Sequence, residues 1–551
     1  MPFGFRFVSC PAAFCPVAVC FVTAMVLNLG DVRTSRAADF LTAQQATRLG
    51  LVEAWRRQTE VPAGVQSMVD QQLYVHVENP REYVEVVAAA PAASPAVEEP
   101  GAVNEAAKPH ENGGTPPKKV LVRIPTDRVD AHGKAIGKAE AERLASNEIR
   151  RLKRRGIEAT MESRIVPRIC LYTLGNDGTL ECRDAESGES VWMVRVGVER
   201  LGYKALGVGE SFVSVVNGGN ILRIDVTNGE LIEQQRTVNV PIFGAINAGD
   251  FAVIATIQNG IEGYPLYDTS RLPFRERVSG RALALPVKAP GSTRIAWGTD
   301  HGFVYCMETS GEPSVMFRLN TDGIVSARIA AASDDRFFFG SEAGQVYGIK
   351  GTRTGQVLWS RPYGEPFYNQ PIIAGEQLLI RSTYGSLYSL GLADGISTWQ
   401  DAATNIDELV GTIGDKLYVT TLSGAFSVLD LKTGAQVESF PGIRPKRLLR
   451  NSKTDRLYLV GSTGAVQCLR SIDAELPIIS EGHGDVKKVE VTEEKEEEDK
   501  KPAEPTEFGV PAANDPFAAP GADPFAAPGA DPFAAPGGGA DPFGADPFGG
   551  M

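Results

Sequence analysis

Residues 171–184, LYTLGNDGTLECRD, and residues 212–225, FVSVVNGGNILRID, follow one pattern. A short β-rich run leads into a glycine turn, and an alternating run that ends in aspartate follows the turn. The pattern returns at intervals of 39 to 42 residues. Its turn glycines are Gly178, Gly219, Gly260, Gly302, Gly344, Gly385, Gly424 and Gly464. Eight copies at a near-constant period indicate a repeat architecture.

Each copy reads as a β-meander. In the copy around Gly385, the run QLLIRSTYG is followed by SLYSL, by a second glycine turn at Gly395 and by a closing run that contains Trp399. The second glycine recurs at Gly188, Gly229, Gly311, Gly355 and Gly434. A meander of about forty residues cannot bury both of its faces alone, so the copies must stack around an axis as blades. We therefore predict an all-β fold, an eight-bladed β-propeller of four-stranded meanders over residues 161–480. Seven blades are the alternative, because the copy at 260–273 is degenerate.

The best copies, at 177–192, 344–359 and 424–434, resemble the pyrroloquinoline-quinone (PQQ) type of propeller repeat. In that repeat, glycine is followed by Leu-Tyr-x-Leu-Asp, then by Thr-Gly and then by Trp. The tryptophan is present as Trp192, Trp359 and Trp399. Other copies have Glu233, Met316 and Glu438 in its place. We expect the repeat glycines and tryptophans to be structural.

The resemblance implies either a PQQ-dependent dehydrogenase or a non-catalytic scaffold, similar to the BamB-like propeller of the outer-membrane assembly machinery. A quinoprotein dehydrogenase would be expected to have an adjacent cysteine pair, a Ca²⁺ ligand set and an axial carboxylate. No two cysteines of this sequence are adjacent, and its five histidines are scattered. Cys182, Cys306 and Cys468 each lie four residues after a turn glycine, where a small buried strand residue is expected. We therefore predict no catalytic, cofactor-binding or metal-binding residue.

Charge and the N-terminal sequence restrict the function further. The chain has 55 basic and 68 acidic residues, a net charge of −13, which argues against nucleic acid as a partner. An uncharged, mostly apolar run at 7–30 precedes small residues at 35–38, which predicts a Sec-type signal peptide over 1–37, cleaved after Ala37. An uncleaved membrane anchor is one alternative, because the run approaches the length that spans a bilayer. Lipoprotein processing at Cys20 is another.

Two segments before the repeats lie outside the period. Residues 38–87 predict a small N-terminal α/β element packed against the propeller, with a helix over 41–59, and residues 88–118 predict a disordered linker rich in Pro, Ala and Glu. Residues 119–160 predict a strand and a helix. The basic end of this helix contains Arg150, Arg151, Lys153, Arg154 and Arg155. These cations either face solvent, where they favour the helix dipole, or contact an anionic surface such as lipid headgroups or the acidic tail.

The last segment, 481–551, begins with an acidic charge run and continues into repeated Asp-Pro-Phe units. Proline and glycine at this density block helices and sheets, so we predict a disordered tail. It acts either as a spacer or as an array of weak docking sites whose multivalency raises avidity. The docking residues would be Phe517, Phe525, Phe533, Phe543 and Phe548.

These patterns predict an exported, non-catalytic β-propeller, periplasmic or envelope-associated, that binds other envelope proteins. The basic helix adds an anionic membrane surface as a further contact. A PQQ-dependent dehydrogenase is the first alternative. A sensor that binds a small ligand or a glycan on the funnel face of the propeller is the second.

Overall fold

The computed structural model describes residues 38–89, 118–128 and 135–480. The predicted signal peptide, the predicted tail with its phenylalanines and nearly all of the predicted linker at 88–118 lie outside these residues. The described residues form eight antiparallel sheets and two α-helices. We call each sheet a blade and number the blades along the chain, counting as blade 8 the sheet that joins the first strand of the chain to its last three strands.

Blade 1 and the segments before and within it are formed by α1 (Ala43–Arg48), β1 (Leu51–Gln58), β2 (Met68–Ala89), β3 (Lys118–Pro125), α2 (Gly137–Lys153), β4 (Ala159–Gly175), β5 (Thr179–Asp184) and β6 (Ser190–Arg195). Blades 2 to 4 contain β7 (Tyr203–Val208), β8 (Phe212–Asn217), β9 (Asn220–Asp225), β10 (Leu231–Arg236), β11 (Pro241–Ala248), β12 (Phe251–Thr256), β13 (Gly260–Pro265), β14 (Phe274–Arg277), β15 (Val287–Lys288), β16 (Ile295–Gly298), β17 (Phe303–Glu308) and β18 (Ser314–Asn320).

Blades 5 and 6 contain β19 (Ala330–Ala332), β20 (Arg336–Gly340), β21 (Gln345–Lys350), β22 (Gln356–Pro362), β23 (Ile372–Ala374), β24 (Gln377–Arg381) and β25 (Leu387–Gly391). Blades 7 and 8 contain β26 (Ile406–Ile413), β27 (Lys416–Thr421), β28 (Ala425–Asp430), β29 (Gln436–Pro441), β30 (Arg447–Leu449), β31 (Leu457–Val460) and β32 (Ala465–Ser471). Blade 6 has three regular strands, and single bridges from Ser397 and Ala403 to β25 take the fourth place.

The blades form a closed ring. The first strands of neighbouring blades contact one another from β2 round to β26, and blade 8 contacts both β26 and β2. Hydrophobic cores lie between neighbouring sheets, as between blades 1 and 2, where Tyr172 packs with Leu206 and Val215. Both faces of each meander are thus buried by the next one, as the repeat requires. The predicted all-β propeller of antiparallel, mostly four-stranded meanders is confirmed.

The fourth strand of blade 8 comes from the N-terminal segment. β1 pairs antiparallel with β32, so that Trp55 lies opposite Cys468. The helix predicted over 41–59 is therefore wrong for its second half, because only Ala43–Arg48 is helical and Leu51–Gln58 is a strand. The isolated sequence of 51–58 does not reveal its partner, which lies more than 400 residues away. Tertiary pairing, rather than local propensity, decides its structure.

In the blades that have a tryptophan at this position, its indole ring donates a hydrogen bond to the next blade. The indole Nε1 of Trp192 donates to the Val226 carbonyl at 2.8 Å, and that of Trp359 donates to the Leu392 carbonyl at 2.9 Å. Trp55 makes the same contact with the Ala185 carbonyl at 2.9 Å, from blade 8 to blade 1. Trp399 repeats it with the Leu431 carbonyl at 2.9 Å. Trp55 is thus a fourth repeat tryptophan, which lies outside the segment where the repeats were recognised.

In blades 1, 2, 6 and 7 the second glycine turn receives the tryptophan ring of the preceding blade. At Gly434, with φ of +74°, a Cβ would lie 2.6 Å from the Trp399 indole, so only glycine fits both the backbone and the contact. In blade 4 the ring is that of Phe317, which faces Gly355 of blade 5 and lies opposite Cys306. The assignment of Met316 to the tryptophan position was therefore wrong by one residue, because a bulge in β18 shifts the register there.

An inserted layer interrupts blade 1 between its first and second strands. The second half of β2 pairs with β3 and with the first half of β4, and α2 packs on this small sheet. Its core contains Val84, Val86, Ile124, Ala141, Ala145 and Leu152. The segments predicted as a separate N-terminal element and as a strand plus basic helix are therefore continuous in space. Strands β2 and β4 run from the blade into the layer without a break.

We expect Trp55→Ala to lower the free energy of unfolding by about 3–5 kcal/mol, as for other buried tryptophans. The loss should match that of Trp359→Ala, because both rings fill the same position between two blades. Urea unfolding followed by circular dichroism measures both changes. Val52→Ala, in the same strand but 37% exposed, is the control and should be nearly neutral. A Trp55 variant as stable as this control would show that β1 does not close the ring.

Candidate functional site

The predicted structural cysteines are buried and free. Cys170, Cys182, Cys306 and Cys468 all have free thiols. The described residues contain no group of three or more His, Cys, Asp or Glu side chains that could hold a metal ion.

One buried cluster combines a thiol, an imidazole and a carboxylate. The Nε2 atom of His76 lies 2.9 Å from the Tyr172 hydroxyl, and its Nδ1 atom lies 3.6 Å from Glu210. Burial lowers the pKa of His76, but the neighbouring Cys170 and Glu210 side chains outweigh burial, and the net pKa is raised. Both His76 and Cys170 are only 2% exposed. A substrate could not reach either side chain without opening the blade.

One end of blades 2 and 3 presents an apolar surface, which we call the loop face. It is formed by the connections that enter the first strands β7 and β11 and by the turn between β12 and β13. Its five aliphatic side chains are between 51% and 63% exposed. They are Val198, Leu201, Val238, Val240 and Ile257. The amide of Ile257 donates to the Val240 carbonyl at 3.0 Å, so the turn and the loop are in direct contact.

Hydrogen bonds from the blades fix the loops of this face. The Asn217 side chain accepts from the Val198 amide at 2.8 Å and donates to the Val198 and Gly202 carbonyls, both at 3.0 Å. The Tyr264 hydroxyl accepts from the Val238 amide at 2.9 Å. The apolar side chains therefore project from loops whose backbone is held in place. The sequence analysis did not find this surface. Its only sequence signal is the presence of aliphatic residues in loops where polar turn residues are usual.

The basic helix end predicted from sequence is present and exposed. Arg150, Arg151, Lys153, Arg154 and Arg155 are all exposed at the C-terminal end of α2. Within the described residues, Arg151 has an ion pair with Glu148 at 3.5 Å, and the other four have none. The edge of β4 lies in the same layer, where Met161 and Ile165 are exposed. The structure thus brings the five cations to one accessible patch without showing what they contact.

Three cations lie on or close to the innermost strands of blades 4, 5 and 8. Lys288 lies on β15, Arg328 immediately precedes β19, and Lys453 lies between β30 and β31. The Nζ atom of Lys453 donates to the Leu73 carbonyl of β2 at 2.7 Å and lies 5.3 Å from the ring centre of Tyr74. Burial and the charges of Arg328 and Lys288 lower the pKa of Lys453 to about 8. Both of these charges therefore disfavour the protonated form of Lys453.

The pH dependence of stability should show this repulsion. Below about pH 8 Lys453 is charged in the folded and the unfolded protein, whereas at higher pH the folded protein loses the proton first, because the unfolded pKa is 10.5. Stability relative to a Lys453→Gln variant should therefore rise between about pH 8 and pH 10. Melting temperatures of both proteins across this range measure the effect. Lys432→Gln, whose side chain is exposed and paired with Asp415, should give no such trend. A pH-independent difference would contradict the lowered pKa.

Comparisons with known proteins agree with the repeat geometry. A family model described as "Outer membrane protein assembly factor BamB" matches residues 289–449. No curated protein sequence matches the chain significantly.

Three solved structures match this chain with low sequence identity and with TM-scores below 0.5. BamB from Moraxella catarrhalis is 15% identical, with 55% of this chain and 92% of that chain covered and a TM-score of 0.42. Sqt1 from Saccharomyces cerevisiae is 10% identical, with 54% and 92% covered and a TM-score of 0.43. The dihydro-heme d1 dehydrogenase NirN is 13% identical, with 51% and 65% covered and a TM-score of 0.41. Such values carry no information about function. Together with the tryptophan positions, the family match identifies the repeats as a PQQ-type propeller similar to BamB.

Proposed function

We propose that this protein is a non-catalytic scaffold of the bacterial cell envelope that binds other proteins through the loop face. The observation that carries the proposal is the exposure of five aliphatic side chains on one end of two neighbouring blades. Contiguous apolar surface on a folded protein is typical of interaction sites. The likeness of the repeats to an outer-membrane assembly factor supports a role in protein binding.

The loop face suits association energetically. Complete burial of a valine or leucine side chain contributes about 1.5–3 kcal/mol. Because Asn217 and Tyr264 already hold the loops, less conformational entropy is lost when a partner binds. At the rim, the exposed pair Arg195–Glu199, at 3.5 Å, leaves charged groups in contact with water. A partner with an apolar or aromatic patch would therefore bury the centre of this surface and keep the rim solvated.

An envelope location is part of the proposal. It rests on the apolar run and small residues at 1–37, which resemble a cleaved export signal. Neither helix of the described residues has the length and apolar character that crossing a bilayer requires. The basic end of α2 is proposed as a second contact, with an anionic surface, because four of its cations have no ion pair within the described residues.

Charge placed on the loop face should abolish partner binding without unfolding the protein. We expect Val238→Asp combined with Val240→Asp to reduce recovery of crosslinked envelope proteins roughly tenfold or more, because each buried apolar contact is replaced by a desolvated carboxylate. Quantitative mass spectrometry after in-cell crosslinking measures the recovery. The control carries Val357→Asp and Val437→Asp, at exposed positions on the outer strands β22 and β29. Only proteins that are recovered with the control variant are counted as partners. Equal recovery with the wild type, the loop-face variant and the control would contradict the proposal.

A further variant in the same experiment separates the two contacts. Replacing Arg150, Arg151 and Arg154 with glutamine removes three exposed charges without touching the core of the inserted layer. We expect it to retain the loop-face partners and to sediment less with vesicles that contain anionic lipid. If this variant loses the protein partners instead, the protein interface lies at α2 and not on the loop face.

The enzyme alternative predicts PQQ-dependent turnover, which we do not expect. Ca²⁺ in such sites needs oxygen ligands, whereas the cations Lys288, Arg328 and Lys453 lie on or close to the innermost strands, and their charges repel a divalent cation. The residues present do not fit that cofactor pair. Purified protein incubated with PQQ and Ca²⁺ should show no dye-linked oxidation of alcohols or sugars. A known PQQ dehydrogenase serves as the positive control, and stoichiometric turnover by this protein would overturn the scaffold proposal.

A further inference from the structure

The inserted layer has a strand edge that no described strand covers. Residues 159–166, the first half of β4, pair with β2 on one side, where Arg164 lies opposite Tyr83. On the other side, β5 pairs with β4 only from Cys170 to Leu174. Among the described strands, none pairs with residues 159–166 on that second side, which we call the free edge. A row of uncovered amides and carbonyls is a template for a further strand.

The pairing of β2 shows which main-chain groups point to the free edge. The Glu82 carbonyl accepts a hydrogen bond from the Thr126 amide at 3.0 Å, at the end of β3. Glu82 lies opposite Ile165, and a residue of an antiparallel strand directs its amide and its carbonyl to one side only. Ile165 therefore exchanges no hydrogen bonds with Glu82 and directs both groups to the free edge. Because the direction alternates along a strand, Met161 and Ser163 do the same.

Apolar and charged side chains alternate along the free edge. Met161 is 41% exposed and Ile165 is 57% exposed. Met161 lies opposite Val86 of the core under α2, so Met161 and Ile165 share the face of the sheet that carries α2. Glu162 and Arg164 alternate with them and lie on the other face. Two large apolar side chains are thus left half-exposed at the edge of an otherwise packed layer.

The five residues Met161-Glu162-Ser163-Arg164-Ile165 are complementary to the same five residues in reverse order. When two copies pair antiparallel about Ser163, Met161 of each copy lies opposite Ile165 of the other, and Glu162 lies opposite Arg164. Apolar pairs and pairs of opposite charge both stabilise neighbouring strands. The residues that would face each other at Met161, Ser163 and Ile165 are those whose main-chain groups point to the free edge. Each such pair can exchange two backbone hydrogen bonds.

The other edge of the layer lacks this complementarity. Its strand β3 contains Lys119 and Arg123 and no acidic residue, so two copies of β3 would bring like charges together. On β4, Pro167 lies just beyond the free edge, and its missing amide would end the pairing there. The free edge itself carries one charge of each sign, in the order that suits a second copy.

We propose that two copies of this chain associate through the free edge of β4 and form an antiparallel dimer with its twofold axis at Ser163. Strands β3, β2 and β4 of both copies would then form one sheet of six strands, three from each copy. A twofold axis perpendicular to the sheet keeps both α2 helices on the same face, so Met161 and Ile165 of both copies would be buried together on that face. This contact is independent of the loop face and of the proposed protein partners.

Sedimentation velocity of the purified protein, between about 1 and 200 µM, tests the proposal. We expect a reversible equilibrium between monomer and dimer. Arg164→Glu places like charges opposite each other and should weaken the dimer roughly tenfold or more. Adding Glu162→Arg to it restores opposite charges and should restore the dimer. Arg275→Glu, at an exposed position on the outer strand β14, is the control and should dimerise as the wild type does.

A second pair of variants tests the backbone contact. Ser163→Pro removes an amide that points to the free edge and not to β2, so it should weaken the dimer while the layer keeps its strand pairing. Ser163→Ala keeps the amide and should dimerise as the wild type does. Melting temperatures show whether each variant is folded, and only folded variants are compared.

The proposal is wrong if the wild type stays monomeric over the whole concentration range. It is also wrong if folded Arg164→Glu and Ser163→Pro dimerise as tightly as the wild type, because the dimer contact would then lie elsewhere. A charge-exchanged double variant that dimerises as weakly as Arg164→Glu would rule out the pairing about Ser163. If the wild type is monomeric but loses an envelope partner on Ser163→Pro and not on Ser163→Ala, the free edge binds another protein and not a second copy.

Discussion

An indole ring of one blade resting on a glycine turn of the next is the contact on which the ring depends. A single meander buries only part of its apolar surface, so each blade is stable only beside a neighbour. The Trp359 ring supplies apolar area, a hydrogen bond to the Leu392 carbonyl and a shape that only Gly395 accommodates. The residue opposite the ring in its own blade must also be small, as at Gly348. The tryptophan and the small strand residue of one blade and the turn glycine of the next are therefore all required by the same contact.

The sequence was informative wherever this requirement recurs with a fixed period. The forty-residue spacing, the glycine turns and Trp192, Trp359 and Trp399 are local signals, and they predicted the propeller and its repeat type. The same requirement is met by Trp55, but its strand lies outside the period and pairs with residues at the other end of the chain. No local pattern encodes such a pairing, so this segment was read as a helix. The bulge that places Phe317 rather than Met316 beside Gly355 is likewise set by strand pairing.

The candidate sites depend on positions that differ from blade to blade, and this is why the repeat pattern could not predict them. The loop face combines residues of two connections and one turn, which come from different parts of the repeat. The basic end of α2 was the exception, because five neighbouring cations on one helix form a local pattern.

The pairing of β1 with β32 also determines the order in which the chain can fold. β1 lies near the N-terminus, yet its partner is more than 400 residues away, so it has no ladder to join until the last blade has been made. An unpaired strand edge is prone to join foreign strands. Glu53, Arg56 and Arg57 lie on this strand beside the apolar residues Leu51, Val52 and Trp55. Those charges would keep β1 soluble while it is unpaired. Its pairing with β32 would then be the last step that closes the ring.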